Sequence, residues 1–229
     1  MCGRFTLRTP ANLIIEQFDA QLGPDLQKQM RPRYNVAPTQ LFPIMRGPDR
    51  QVDTARWGLV PFWSKDPKGG ARMINARSET VATKPAFRAA FKKRRCLVPA
   101  DGYFEWVKVG KQKQPYWIRM QSEQPFLMAG LWESWRSEKS EDEPPLETFT
   151  ILTTSSNSVT EEIHDRMPVI LYPNDYEAWL DSEKWEVEKL QHMFEPHDSS
   201  AMKVDPVSDR VNSVRNDDEQ CIQITPMLF

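Results

Sequence analysis

Short stretches of alternating apolar and polar residues, punctuated by proline and polar turns, run through most of this chain. Near the amino end Leu13, Ile14, Phe18 and Leu22 recur at helical spacing, which predicts a helix from Ala11 to Leu22 stopped by Gly23-Pro24. Arg33 to Pro38 reads as irregular chain leading into a strand at Leu41 to Met45. Gly47-Pro48-Asp49 is a turn, and Thr54 to Val60 the next strand. Ser64 to Gly70 is a polar loop. Thr80 opens a short turn, and Pro85 starts a helix over Ala86 to Lys93. Cys96 to Pro99 and Tyr103 to Val107 are strands around an Asp101-Gly102 turn, and Val107 to Lys111 is a hairpin connection into Tyr116 to Met120. Phe126 to Trp132 and Thr148 to Thr154 are further strands, with a charged solvent loop, Ser137 to Pro145, between them. Asp175 to Leu180 and Trp185 to Phe194 read as helices, and Cys221 to Thr225 as a final strand. No internal repeat, low-complexity stretch or domain boundary interrupts the pattern. It predicts one α+β domain over residues 1–229, dominated by antiparallel strands.

Composition narrows the class. A length of 229 residues suits one large domain or two small ones and allows a substantial core, with eight Trp and eleven Phe to fill it. Nineteen Pro against nine Gly favours turns and short strands over a helical bundle. The net charge of −2 argues against coating nucleic acid by bulk charge, though not against a local basic groove. Cys2, Cys96 and Cys221 are odd in number and far apart, which fits a reducing compartment rather than a disulfide framework. His164, His192 and His197 form no HExxH and there is no CxxC, so neither a metal nor another cofactor is expected. No stretch approaches a transmembrane length, and Cys2-Gly3-Arg4 is not a signal peptide. A cytoplasmic, monomeric protein is expected.

The second residue carries the most specific chemistry. Release of Met1 would leave Cys2 with a free α-amine beside a thiol. An α-amine has a pKa near ~7.7–8.0, so about a tenth of it is neutral at pH 7, far more than for a lysine near ~10.4. A neutral amine forms a Schiff base with an aldehyde, and the adjacent thiol can then close a five-membered thiazolidine at high effective molarity. Taken alone, Met-Cys is also a common chance beginning.

Four clusters change that weighting: Met1-Cys2-Gly3-Arg4-Phe5, Met73 to Thr80, Pro99 to Trp106, and Ile163 to Pro168. With Arg33 to Pro38, Trp57 to Pro61, Pro206 to Ser208 and Val211-Asn212, in this order and spacing, the chain resembles the SRAP proteins (SOS response-associated peptidase; abasic-site processing proteins) over most of its length. The resemblance implies a single SRAP-type domain, with a mostly antiparallel, barrel-like β core and flanking short helices. It implies that Cys2, freed of Met1, attacks the ring-opened aldehyde of an abasic site in single-stranded DNA, with a single-strand/duplex junction as an alternative setting, and forms a thiazolidine crosslink. This would shield the lesion at replication forks. It also implies peptidase-type removal of Met1, with lyase activity as an associated possibility, and nucleoid association on DNA. By motif position the supporting residues are Asn75, Glu105 and His164.

The residue types fit those roles. Glu105, between Phe104 and Trp106, would face away from both on a strand, into a site where poor solvation raises its pKa towards useful values. A strand glutamate paired with a lysine is the plainer alternative. His164 can shuttle protons at neutral pH; a turn histidine bonded to backbone is its alternative. Asn75 can bond the sugar oxygen or hold the terminal amine, or be a buried structural amide. His192 and His197 are assigned to the surface. Arg4, Arg77 and Arg166 suit phosphate contacts, Trp63 base stacking, and Asn35 is placed with them on the DNA side. Arg88 with Lys92 to Arg95 reads as a solvated helix end. Two other functions remain open: a cysteine peptidase with Cys2 as thiolate and His164 as base, and a non-catalytic DNA-binding module.

Overall fold

The computed structural model describes residues 2–137, 143–183 and 186–226. In chain order the elements are β1 (Phe5–Leu7), α1 (Ala11–Phe18), α2 (Pro24–Gln29), β2 (Arg33–Val36), β3 (Leu41–Arg46), β4 (Gln51–Trp57), β5 (Asn75–Arg77), α3 (Arg88–Lys93), β6 (Arg95–Ala100), β7 (Gly102–Val109), β8 (Gln112–Met120), β9 (Phe126–Trp135), β10 (Leu146–Ser155), β11 (Arg166–Pro168), α4 (Tyr176–Leu180) and β12 (Met202–Pro206).

Five strands close on themselves. β3 pairs with β4 and β6, β6 with β9, β9 with β10, and β10 returns to β4. Every joint is antiparallel except β4–β10. A second sheet, ordered β12-β8-β7-β1-β2, is antiparallel throughout. The fold is α+β with a barrel-like, mostly antiparallel core. Closure removes free edges from the ring. It also explains β6, buried at every position: a strand covered on both faces reads as a continuous run rather than an alternation.

β10 is the strand from which the outer pieces hang. Past its pairing with β4 at Thr148 and Phe149, it takes β5 in parallel at Ile151 to Thr153 and β11 antiparallel at Thr153 to Ser155. At the centre Phe5 sits edge-on to Phe42, with centroids 4.7 Å apart, and to Trp57 at 5.0 Å. Trp57 stacks on Phe149 at 6.2 Å. A smaller cluster of Phe104, Trp117, Val207, Val211 and Cys221 lies against the second sheet.

Several boundaries differ from the sequence expectation, each for a local reason. The first helix ends at Phe18 rather than Leu22, because Asp19 turns left-handed at φ 49° and Gln21 then bridges Gln51. Arg33 to Val36 is strand, with the Tyr34 and Asn35 amides donating to the Asp217 carboxylate. Cys221 to Thr225 is mainly not a strand. Asp218 caps a 3-10 turn over Glu219–Ile222, and only Ile224 bridges Val207. The described part of the helix expected at Trp185 to Phe194 is a 3-10 stretch, Val187–Phe194. Trp185 and much of the Ser137 to Pro145 loop lie outside the described residues.

Gly102 marks where β7 lies tight against β8. A Cβ there would lie 2.4 Å from Trp117 Nε1 and 2.8 Å from the Ile118 carbonyl oxygen. Backbone and a packed indole leave no room to yield, so Gly102→Ala should lower stability by about 1–3 kcal/mol. A shift of the urea midpoint at unchanged slope measures this, and an unchanged midpoint would contradict the packing described.

Candidate active site

The site is assembled from the amino end of β1. Phe5 pairs with Tyr103 and Val36, and the Phe104 amide donates to the Arg4 carbonyl at 3.0 Å. Carried back from there, the chain brings Cys2 to full burial beside β7. Its carbonyl accepts a 2.8 Å bond from Asn75 Nδ2, and its thiol points to the Arg4 carbonyl at 3.9 Å. Asn75 is itself placed by two contacts. The β5–β10 pairing sets it opposite Ile151, and Trp57 Nε1 donates to the preceding carbonyl, Ile74, at 2.9 Å. Asn75 Oδ1 is buried with no hydrogen-bond partner among the described residues.

Glu105 lies on β7 with its side chain away from Phe104 and Trp106, which belong to the smaller cluster. It is buried, and burial raises its carboxyl above the ordinary range, although neighbouring positive charge, His164 included, pulls the other way. The Cys2 thiol is pushed up by burial first and by the Glu105 charge second. His164 is partly exposed, at the end of a tight turn where its amide donates to the Thr160 carbonyl at 3.0 Å. Its Nδ1 lies 3.0 Å from the Arg166 amide and 2.9 Å from an Asp165 carboxylate oxygen. A neutral ring with Nδ1 unprotonated accepts the first contact. A ring protonated at Nδ1 makes the second. The two exchange with tautomer or charge. Cys2, Asn75, Glu105 and His164, four residues from four separate clusters, thus meet in one place.

Tyr103 belongs with them and was not singled out from the sequence. It shares the Glu105 face of β7 by alternation, and its buried phenol is raised by burial and then by the Cys2 and Glu105 charges. The two-residue spacing from Glu105 was the available sign.

The residues expected on the DNA side separate. Arg77 is exposed and shares the Asn75 face of β5. Trp63 is 55% exposed beside Phe62 at 56%, on a turn held by the bond from Trp135 Nε1 to the Ser64 carbonyl. Phe62 was not anticipated. Arg4 is half-buried, with Nη1 donating to Asn35 Oδ1 at 2.8 Å and to the Val211 carbonyl at 2.9 Å. Asn35 is fully buried, and its amide nitrogen donates to the carbonyls of Val211, Ser213 and Asn216. It therefore braces Arg4 from behind instead of presenting to DNA. Arg166 forms a two-pronged pair with Glu79, which occupies most of its fork. His192 is at the surface as expected, but His197 is not: it is buried, stacked on Tyr172 at 4.6 Å. Arg95, expected at a solvated helix end, is buried as well, and burial pushes its guanidinium down to about 10. Among the described residues no group of three His, Cys, Asp or Glu side chains is arranged to hold a metal ion, and no helix is long and apolar enough to cross a membrane.

Known proteins resemble this chain along most of its length. Residues 1–214 match the family described as SOS response associated peptidase (SRAP). The abasic site processing protein YoqW of Bacillus subtilis is 42% identical over 227 residues, covering 97% of this chain and 99% of its own. The abasic site processing protein HMCES of Gallus gallus is 32% identical, across 84% of this chain and 66% of its own. A solved structure from Bacteroides thetaiotaomicron superposes with a TM-score of 0.88 at 30% identity, covering 98% of this chain and all of that one. By sequence and by fold, the chain belongs to the SRAP family.

Proposed function

We propose that this protein processes abasic sites in single-stranded DNA by joining Cys2 covalently to the lesion. The observation that carries the proposal is the second residue of the chain held, by its own carbonyl, against Asn75 and beside a buried Glu105 whose carboxyl is raised by desolvation. The names of the relatives point to the same substrate.

Hydrolysis of the Met1–Cys2 bond comes first, because an amide nitrogen forms no imine. The freed amine then adds to the C1′ aldehyde of the opened sugar. Glu105, its carboxyl raised by burial, gives a proton to the carbinolamine hydroxyl, which leaves as water and yields the Schiff base. The Cys2 sulfur adds to the imine carbon, its proton passes to the nitrogen, and the thiazolidine ring closes. Asn75 Nδ2 fixes the Cys2 carbonyl, and Asn75 Oδ1 supplies an acceptor for the amine. His164 moves the proton to and from the sugar ring oxygen as the ring opens. A raised thiol pKa favours this order over a thiolate peptidase, which needs the opposite shift. Arg77 and Arg4 line the approach for phosphate, with Trp63 and Phe62 offering exposed rings for stacking.

Protein lacking Met1, mixed with a single-stranded oligonucleotide carrying one abasic site, should give a covalent band stable to denaturation. Cys2→Ala should abolish it, and a full-strength band from that variant would sink the proposal. The pH profile carries a second expectation. The neutral amine is lost as pH falls, whereas the Glu105 acid is lost as pH rises through its elevated pKa, so the crosslinking rate should be bell-shaped. Glu105→Gln should slow the reaction by about 10²-fold or more and leave a rate that only rises with pH; a bell retained in that variant would assign the acid to another group. For DNA affinity, Arg77→Ala should reduce the slope of log K against log salt by about 0.7, one phosphate contact on a single strand. Titration by fluorescence anisotropy at several salt concentrations reads it.

A further inference from the structure

The turn that delivers His164 is built around one buried side chain, Asn157. Asn157 Oδ1 accepts from the Val159 and Thr160 amides, each at 3.2 Å, and from Thr160 Oγ1 at 3.0 Å. Its carbonyl accepts from the Thr160 amide at 3.1 Å and the Glu161 amide at 3.0 Å. Thr160 in turn accepts, through its carbonyl, the amides of Ile163 and His164, both at 3.0 Å. The turn is closed at its base by the Ser156 amide donating to the Asp165 carbonyl at 3.1 Å. Asn157 Nδ2 reaches the other way. It donates to the His197 carbonyl at 2.7 Å and touches the Met202 sulfur at 3.2 Å, tying the turn to the segment that enters β12. The side chain thus folds the turn from inside and anchors it to a second part of the chain.

We propose that Asn157 is a positioning residue for His164: it sets the depth and direction at which the imidazole stands beside Glu105. A short apolar or anionic side chain in its place breaks one or both sets of bonds, and the turn loses either its internal cap or its tether. Displacing a proton-transferring ring by about 1 Å is enough to cost up to about a hundredfold in rate. This inference rests on the proposed role of His164 in the crosslinking reaction, but its structural half can be read without DNA.

The test compares Asn157→Ala, Asn157→Asp, His164→Ala and the Asn157→Ala/His164→Ala double variant in protein lacking Met1. Asn157→Ala should slow crosslinking at saturating DNA by about tenfold or more with DNA affinity within about twofold. In DNA-free protein, the His164 ring resonances should move or broaden in histidine NMR spectra while those of exposed His192 stay in place. The double variant should be no slower than His164→Ala alone, because a positioning residue acts only through what it positions. Asn157→Asp keeps the acceptor for the turn amides but loses the donor to His197. It should fall between wild type and Asn157→Ala, and it is the variant to measure if the alanine variant does not fold. Unmoved His164 resonances, or equal slowing by Asn157→Ala with and without His164, would overturn the proposal. Failure of the wild-type protein to crosslink would instead count against the proposed function, leaving the NMR result to decide the positioning.

Discussion

Everything at the site depends on the burial of Phe5. Its ring is held between Phe42 and Trp57, and full burial of a side chain this size stabilises by roughly 1.5–3 kcal/mol. That anchor fixes β1 in register with β7, and so decides where the first residues of the chain lie. Trp57 serves both ends of the arrangement. Its ring packs on Phe5, and its indole N–H holds the Ile74 carbonyl, the residue before Asn75. Asn75 then bonds the Cys2 carbonyl. A closed circuit of contacts therefore runs from Phe5 through Trp57 and Asn75 to Cys2. Cys2, three residues ahead of the first strand, is thereby positioned with the definition of a core residue.

Burial also sets the protonation of the groups that surround the terminus. Cys2, Tyr103 and Glu105 all lie out of water, and all are shifted toward their neutral forms with desolvation as the leading cause. Desolvation thus disfavours the charged form at all three, an environment poorly suited to a standing thiolate. The second sheet is braced independently. Arg4, Asn35 and the carbonyls of Val211, Ser213 and Asn216 form one network, and Asp217 adds the Tyr34 and Asn35 amides. The 211–217 stretch thereby holds β2, and with it the back of Arg4, to the outer face of the fold.

The long strands were legible because their alternation or continuous apolar runs are strong over seven or more residues, as in β7, β9 and β10. Their pairing into a closed ring was not, since closure depends on contacts between strands far apart in sequence. β5 and β11 were missed because three residues carry no period. They exist only because β10 offers them unpaired backbone. At the site, Cys2, Asn75, Glu105 and His164 were singled out by motif, and alternation correctly put Glu105 opposite Phe104 and Trp106. Asn35 and His197 misled because a polar side chain gives no local sign that backbone carbonyls or a tyrosine ring will enclose it. Asn157 escaped notice for the same reason: its partners at 197 and 202 are forty or more residues away.

The short segment from Phe5 back to Cys2 works as a ruler with a fixed zero. Phe5 cannot slide, and each residue of extended chain measures about 3.3 Å, so the three steps from Phe5 define where the second residue's nitrogen stands. One residue inserted between Cys2 and Phe5 would carry Cys2 out of reach of the Asn75 side chain that now bonds its carbonyl. The segment between Cys2 and Phe5 is therefore constrained in length as well as in identity. A cysteine one residue further from Phe5, with the same neighbours and the same fold behind it, would leave Asn75, Glu105 and His164 gathered around a different side chain.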